Sequence, residues 1–279
     1  MKKSLPKKSI GLGLRTEHYG HVEENLDSID LDWFEVISEN HMNSKGRPIE
    51  ILDIVSQKIP LSLHGVSLSI ASHEELNFEY LNKLKNLRDK YNPIIISDHL
   101  CWTGIKKSNL HNLLPFAYNQ ENLIHLCNRI DKVQNYLKQE IALENLSAYF
   151  NYKASAMAEW EFIKKLLDKS GCKLLLDVNN VYVNSVNHQF DAKEYINNIP
   201  SNKISYIHLA GFSDCEDFLF DTHSKPVYPE VWDLYEYTIK SKGSKPTLIE
   251  WDEDIPEFSV LLKEAHKART IMERISDEV

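Results

Sequence analysis

Eight short apolar runs, seven of them carrying a carboxylate, an imidazole or an amide toward the C-terminal end, constrain this chain more than any other feature. The runs are IGLGL (10–14), WFEVI (33–37), PLSLHG (60–65), PIIISDH (93–99), EIALENL (140–146), KLLLDVN (173–179), ISYIHLAG (204–211) and TLIEWD (247–252). Runs of this length and composition suit strands of a parallel sheet covered on both faces. Helical patterns separate most of them. In ENLIHLCNRIDKVQNYL (121–137), Leu123, Leu126, Ile130, Val133 and Leu137 recur at spacings of three and four, the stripe of an amphipathic helix. EFIKKLLDKSG (161–171) ends on Gly171, and EFSVLLKEAHKARTIMERI (257–275) predicts a long final helix, each as helix signals require.

Eight β-then-α units predict an α/β fold, a (β/α)8 TIM barrel occupying residues 1–279 as one domain. An open doubly wound sheet would need a glycine-rich turn after its first strand, and GLGLR does not open into GxGxxG. In a closed barrel all strand C-termini meet at one mouth, where barrel enzymes carry their chemistry. The residues gathered there are Glu35 with Glu39, His64, Asp98 with His99, Glu144 with Asn145, Asp177 with Asn180, His208, and Glu250 with Asp252. Asp221 and His223 stand in FLFDTHSKPV, the loop after the seventh strand.

So many acids and imidazoles at one rim would repel and desolvate one another without cations among them. Metal ions hold carboxylates ionised and imidazoles neutral. Mixed His and carboxylate donors suit Zn, Fe, Mn or Co. Nine donors, His64, His99, Glu144, Asp177, Asn180, His208, Asp221, His223 and Glu250, exceed what one ion uses, so two or three ions are expected. Glu144 is placed to bridge two ions roughly 3.5–4 Å apart. Taken singly, any one of these residues also reads as a cap or a hydrogen bonder; the set is what points to metal.

Other properties narrow the function. A net charge of −9 argues against a nucleic-acid or anionic-membrane binder. The basic start MKKSLPKKSIGLGLR has an apolar run too short for a secretory signal, and no window reaches the ~18 apolar residues of a membrane span. Cys101, Cys127, Cys172 and Cys215 lie far apart without CxxC spacing, reading as reduced thiols of a cytoplasmic protein.

The strand-end series, with GLGLR, FEVISENHM, SLHGVSLSI, SDHLCW, LLPFAYN, IALENLS, LLLDVNNVYVN, YIHLAGF, DTHSKPV and LIEWDEDIP, resembles the multinuclear non-haem iron-dependent oxidative enzymes. This barrel family includes bufferin- and methanobactin-type peptide-modifying enzymes. The resemblance runs from Ile10 to His266. It implies a cluster of two or three irons, mixed-valent Fe(II)/Fe(III), with O2 as co-substrate. The reaction implied is oxidative modification of cysteine residues in a ribosomally synthesised precursor peptide. Carried onto this chain, His64, His99 and Glu144 resemble the ligands of one iron. Glu144 would bridge to a second, held also by Asp177, His208 and Glu250, and Asp221 and His223, with Asn180 nearby, resemble the third position.

Of the loop residues, Glu39 and Asn40 are expected to bond peptide backbone or ligand water, and Asp252 to accept from a ligand imidazole. LLPFAYN (113–119), preceded by Trp102, is expected to wall the site. His111 and His188 are loop candidates for the mouth, while His73, His125 and His266 read as helix-entry or packing residues. The resemblance also implies a separate leader-recognising partner protein, and a homodimer is compatible with the sequence. The scaffold is similar to that of xylose isomerase-type sugar isomerases and of trinuclear zinc apurinic endonucleases, so a divalent-metal hydrolase or isomerase is the rival reading. The endonucleases place a histidine three residues after the sixth-strand aspartate, where this chain has Asn180.

Overall fold

The structure, a computed structural model, describes residues 5–105 and 108–277; the first four residues of the basic start lie outside that range. The barrel strands are β1 (Ile10–Gly13), β2 (Trp33–Ile37), β3 (Leu61–Gly65), β4 (Ile95–His99), β5 (Ala142–Glu144), β6 (Lys173–Asp177), β7 (Ile204–Leu209) and β8 (Thr247–Ile249). Each pairs in parallel with its neighbours in sequence, and β8 closes on β1 through the registers Ile10–Thr247 and Leu12–Ile249. The expected (β/α)8 barrel is the observed fold.

Helices on the outside cover the strands with their apolar stripes. Leu123, Leu126, Ile130, Val133 and Leu137 of Gln120–Leu137 are all fully buried. The Asn119 side chain starts this helix by accepting from Asn122 N, as an N-cap should. Glu159–Ser170 stops at Gly171, which takes the left-handed conformation at φ 72° that glycine adopts without a Cβ penalty. Among the described residues no helix is long and apolar enough to cross a membrane.

Period-two alternation decides what fills the barrel. Trp33, Ala142, Leu175, Tyr206 and Leu248 form a buried cluster of their own, the floor of the interior. Gly11 makes room for it, since a Cβ there would lie 2.4 Å from the Trp33 indole. Two residues on from Ala142, Leu175, Tyr206 and Leu248 come Glu144, Asp177 and His208 at the ends of β5, β6 and β7, and Glu250 just past β8. Two antiparallel hairpins flank the mouth: Trp102–Ile105 with Ser108–Leu114 after β4, and Ser213–Asp214 with Leu219–Phe220 after β7.

Candidate metal centre

Two adjoining donor groups form at the mouth. His64, His99 and Glu144 offer ligand atoms within 4.8 Å of one another, and so do Glu144, Asp177, His208 and Glu250. Glu144 belongs to both: Oε2 lies 3.2 Å from His64 Nε2 and 3.4 Å from His99 Nε2, and Oε1 lies 3.6 Å from His208 Nδ1. The register that sets His99 beside Glu144, and Asp177 beside His208, brings them together.

The other nitrogen of each imidazole is already committed, so the facing nitrogen is predetermined. His208 Nε2 is 2.8 Å from Glu35 Oε1, leaving Nδ1 toward Glu144 and Glu250. His99 Nδ1 donates to Gly65 O at 3.0 Å, leaving Nε2 inward. For His64 the constraint arrives through a relay. Tyr206 OH donates to Glu35 Oε2 (2.7 Å), so Ser97 Oγ donates to Tyr206 (2.7 Å) and His64 Nδ1 donates to Ser97 (2.9 Å). His64 Nε2 therefore presents a lone pair. Ser62 Oγ adds a further bond to Glu35 at 2.9 Å. One buried carboxylate thus orients two donor imidazoles, the kind of support that metal sites draw from beyond their ligands.

Asp177 serves two ends. Its Oδ1 accepts from Asn180 N at 2.6 Å and caps the helix Val178–His188, while Oδ2 is left toward the cluster. Both readings of a polar strand end, cap and ligand, are true of this one residue.

Buried atoms without a hydrogen-bond partner mark the same spot: His64 Nε2, both Glu144 oxygens, Asp177 Oδ2, His208 Nδ1, His223 Nε2 and Glu250 Oε2. Orphaned buried polar atoms are costly and scarce in folded proteins. Seven donors of metal-ligating type, converging on one place, fit ions held between them.

Protonation follows from the crowding. Burial, then the charge of His99, pushes His64 down to about 3. Burial, against the pull of His208, pushes Glu144 up to about 7, and burial raises Asp177 well above the carboxylate range. Burial opposes a charge on His208 and His223 too, but the surrounding carboxylates, Glu250 for His208 and Asp221 for His223 foremost, outweigh it and raise both. With no ion between them, protons must take up the excess negative charge, and metal binding would displace them.

His223 stands beside the expected Asp221 and Asp252, and beside Glu250 as well. Nδ1 faces Asp252 Oδ2 (3.2 Å) and Glu250 Oε2 (3.3 Å), while Nε2 lies 2.6 Å from Asp221 Oδ1 and 3.9 Å from Asp177 Oδ2. His223, Glu250 and Asp252 form the third donor group. Asp221 is shared with the loop: Asn179 Nδ2 and Ser147 Oγ donate to its two oxygens at 2.8 and 3.0 Å. Asn180 donates to Asn145 O, and its unpartnered Oδ1 is buried. Asp252 is held by Arg15, whose guanidinium bonds its Oδ1 and Trp251 O.

A cavity of about 270 Å³ opens over the donors, lined by His64, His99, Asn180, His223, Glu250 and Asp252 among others. Glu39 and Asn40 lie outside that lining. Glu39 Oε1 instead accepts from Val66 N (2.9 Å) and Tyr80 OH (2.8 Å), bracing the loop after β3, and Asn40 is exposed on the short helix Ser38–His41. The expected LLPFAYN wall is divided: Leu113 lines this cavity, while Phe116 and Trp102 line a separate one. His111 is exposed. His188 bonds Ala148 O and Asn151 away from the donors, and His73 stacks on His125.

Sequence reading passed over Ser62, Ser97 and Tyr206. Each stands two residues before a donor histidine on the same strand face, so alternation alone could have found them. Arg15 carried no such signal.

Comparisons place the chain among relatives over nearly its full length. It is 43% identical over 262 residues to a UPF0276 protein of Acaryochloris marina, covering 94% of each chain. It is 44% identical over 260 residues to a UPF0276 protein of Rhizorhabdus wittichii, covering 93% of each. Among solved structures, an L-ribulose 3-epimerase superposes with a TM-score of 0.66 at 12% identity, covering 97% of this chain and 96% of that one. A D-tagatose 3-epimerase-like protein gives 0.65 at 13%, covering 97% and 99%. At such identities the likeness is one of fold. Residues 9–273 match a single family over the whole barrel, and the chain belongs to that family, the RiPP precursor modification enzymes MbnB/TglH/ChrH.

Proposed function

We propose that this protein oxidatively modifies cysteine residues of a ribosomally synthesised precursor peptide, using two or three iron ions and O2. The observation that carries the reading is the convergence of unpartnered His64, Glu144, Asp177, His208, His223 and Glu250 atoms beneath one open cavity, in a chain of a peptide-modifying family. In this reading His64, His99 and Glu144 hold one ion, and Glu144, Asp177, His208 and Glu250 a second. His223 with Asp221, Asn180 nearby, holds a third. Bound iron would supply the redox chemistry and a seat for the substrate thiolate.

The chain's own residues supply position and charge. Glu35 keeps His208 Nε2 and, through Tyr206 and Ser97, His64 Nδ1 protonated, so the nitrogens facing the donors stay available. Asp252, steadied by Arg15, does the same for His223 Nδ1. Asn180 lines the cavity, with its buried Oδ1 left without a hydrogen-bond partner beside the donors. Glu39 and Asn40 support the rim in this reading. A separate leader-recognising partner protein is part of the proposal, as is a cytoplasmic location.

The test combines the anaerobically iron-loaded protein with its partner and a cysteine-containing peptide encoded beside its gene. O2 uptake and a changed peptide mass are expected; neither occurring overturns the reading. Turnover without O2, supported by zinc or manganese, would favour a hydrolase or isomerase on the same barrel.

A further inference from the structure

A second cavity, of about 280 Å³, lies beside the mouth. It is built from the loops after β4 and β5 and from the end of the helix Val178–His188. Its walls include Phe116, Tyr118, Phe150, Tyr152, Trp160 and Phe190. Trp160 and Phe190 stand 5.3 Å apart between ring centroids, and Phe116 and Tyr118 5.4 Å apart. Aromatic rings gathered round one small space attract cations where they offer a face, through their quadrupoles.

One carboxylate lies among them. Glu159 accepts from Tyr195 OH at 3.1 Å and from Asn184 Nδ2 at 3.5 Å. Among the described residues it has no ion-pair partner. Burial pushes its carboxyl up to about 7, the mark of an acid kept from water without a counter-charge. The imidazole on the wall, His188, is occupied. Asn151 Nδ2 donates to its Nδ1 at 3.1 Å, so Nε2–H donates to Ala148 O at 2.7 Å. Lys165 meets the cavity wall only at the Met157 sulfur, 3.6 Å away.

The cavity is coupled to the mouth by a shared partition. Leu146, Ser147 and Tyr149 line the mouth cavity, and Ala148 and Phe150 line this one. Asn184 pins the partition, accepting from Ala148 N (2.7 Å) and donating to Leu146 O (2.7 Å) as well as reaching Glu159. Residues 146–150 thus wall both cavities, Leu146, Ser147 and Tyr149 on the donor side and Ala148 and Phe150 on the aromatic side.

We propose that this cavity is a subsite for a cationic side chain, arginine or lysine, of the peptide that the metal centre modifies. The assignment to a peptide rests on the function proposed above; the assignment to a cation rests on the aromatic walls and the Glu159 carboxylate. An elongated side chain passes its methylenes along the rings and brings its charge to the acid, which an apolar or anionic side chain cannot satisfy.

The test uses the full chain labelled with 5-fluorotryptophan, with the Trp160 resonance assigned by its loss in Trp160→Phe. N-acetyl-arginine amide and N-acetyl-lysine amide are titrated against N-acetyl-citrulline amide, the neutral near-isostere of the first. A saturable shift of the Trp160 resonance by the cationic amides is expected, with citrulline weaker by about tenfold. Glu159→Gln should abolish that preference. If this variant does not fold, judged by its circular dichroism melt, Phe190→Leu serves instead and should weaken the arginine response several-fold. An unmoved Trp160 resonance, equal responses to arginine and citrulline, or undiminished arginine preference in the folded variant overturns the proposal. The measurement needs neither iron nor O2, so its failure is distinct from failure of the peptide-oxidation reading.

Discussion

Asn145 and Asp177 exchange two hydrogen bonds across the ends of β5 and β6. Asn145 Nδ2 donates to Asp177 O at 2.9 Å, and Asp177 N donates to Asn145 Oδ1 at 2.9 Å. The amide side chain imitates a ladder rung where the strands part, and so holds the donor aspartate still. Asn145→Ala removes both bonds and takes from the buried Asp177 N–H its Asn145 acceptor, at a cost of about 1–3 kcal/mol. Urea denaturation of the metal-free chain should show that loss, and metal content per chain should fall with it. Stability within error of wild type would remove this role.

Glu35 is the anchor for two imidazoles. Glu35→Gln keeps the shape but gives up the charge beside His208 Nε2 and one acceptor for Tyr206 and Ser62. Metal affinity, read by competition against a chelator of known strength, should drop by about 10–100-fold. The fold should survive, as reported by an unchanged far-ultraviolet dichroism spectrum.

Gly65 has no room for a side chain. A Cβ there would lie 2.1 Å from Asp98 Oδ2 and 2.7 Å from Tyr80 OH, and Gly65 O also receives the His99 Nδ1 bond. Gly65→Ala is expected to destabilise by roughly 1–3 kcal/mol and to lower metal occupancy. A melting temperature equal to wild type would contradict the packing described here.

The Glu159 carboxyl links folding to pH. Its folded value of about 7 stands above the ordinary 4.5, so the folded state keeps a proton that the unfolded chain releases between those values. Its contribution is intact below about pH 4.5 and falls as pH rises to about 7, flattening beyond. Relative to Glu159→Gln, the wild type should therefore lose roughly 1–3 kcal/mol across that window, the solvent reached through the cavity trimming the upper figure. Paired urea melts at pH 5 and pH 8, on both proteins, give the difference; a constant gap would refute the linkage.

Removing metal should soften the protein. Ions held as proposed by donors from β3 to β8 would bind the folded state alone, and free ion at about 100 times its dissociation constant would add about 2.7 kcal/mol. Chelation during purification should lower the melting temperature, and iron returned without oxygen should restore it. An unchanged melt, with metal shown by elemental analysis to come and go, would mean that the donors do not share ions as proposed.

Much of this was written locally along the chain. Apolar runs closing on His64, Glu144, Asp177, His208 and Glu250 sufficed for the barrel, because strand ends in a parallel barrel have only one mouth to meet at. Alternation would have added Ser62, Ser97 and Tyr206. The roles of Glu39 and Asn40 were less legible, since a turn residue at the rim can face the cavity or brace a neighbouring loop, and only the packing of Tyr80 and Val66 shows Glu39 doing the second.

By itself, then, the amino-acid order determined the strands, their inward faces and the chemical type of each donor, since all three depend on spacing between near neighbours. Tertiary structure decided which nitrogen of each imidazole looks inward and which acid His223 meets. Those outcomes turn on hydrogen bonds between residues remote in sequence, Glu35 with His208 and Arg15 with Asp252, whose pairing exists only once the barrel has closed.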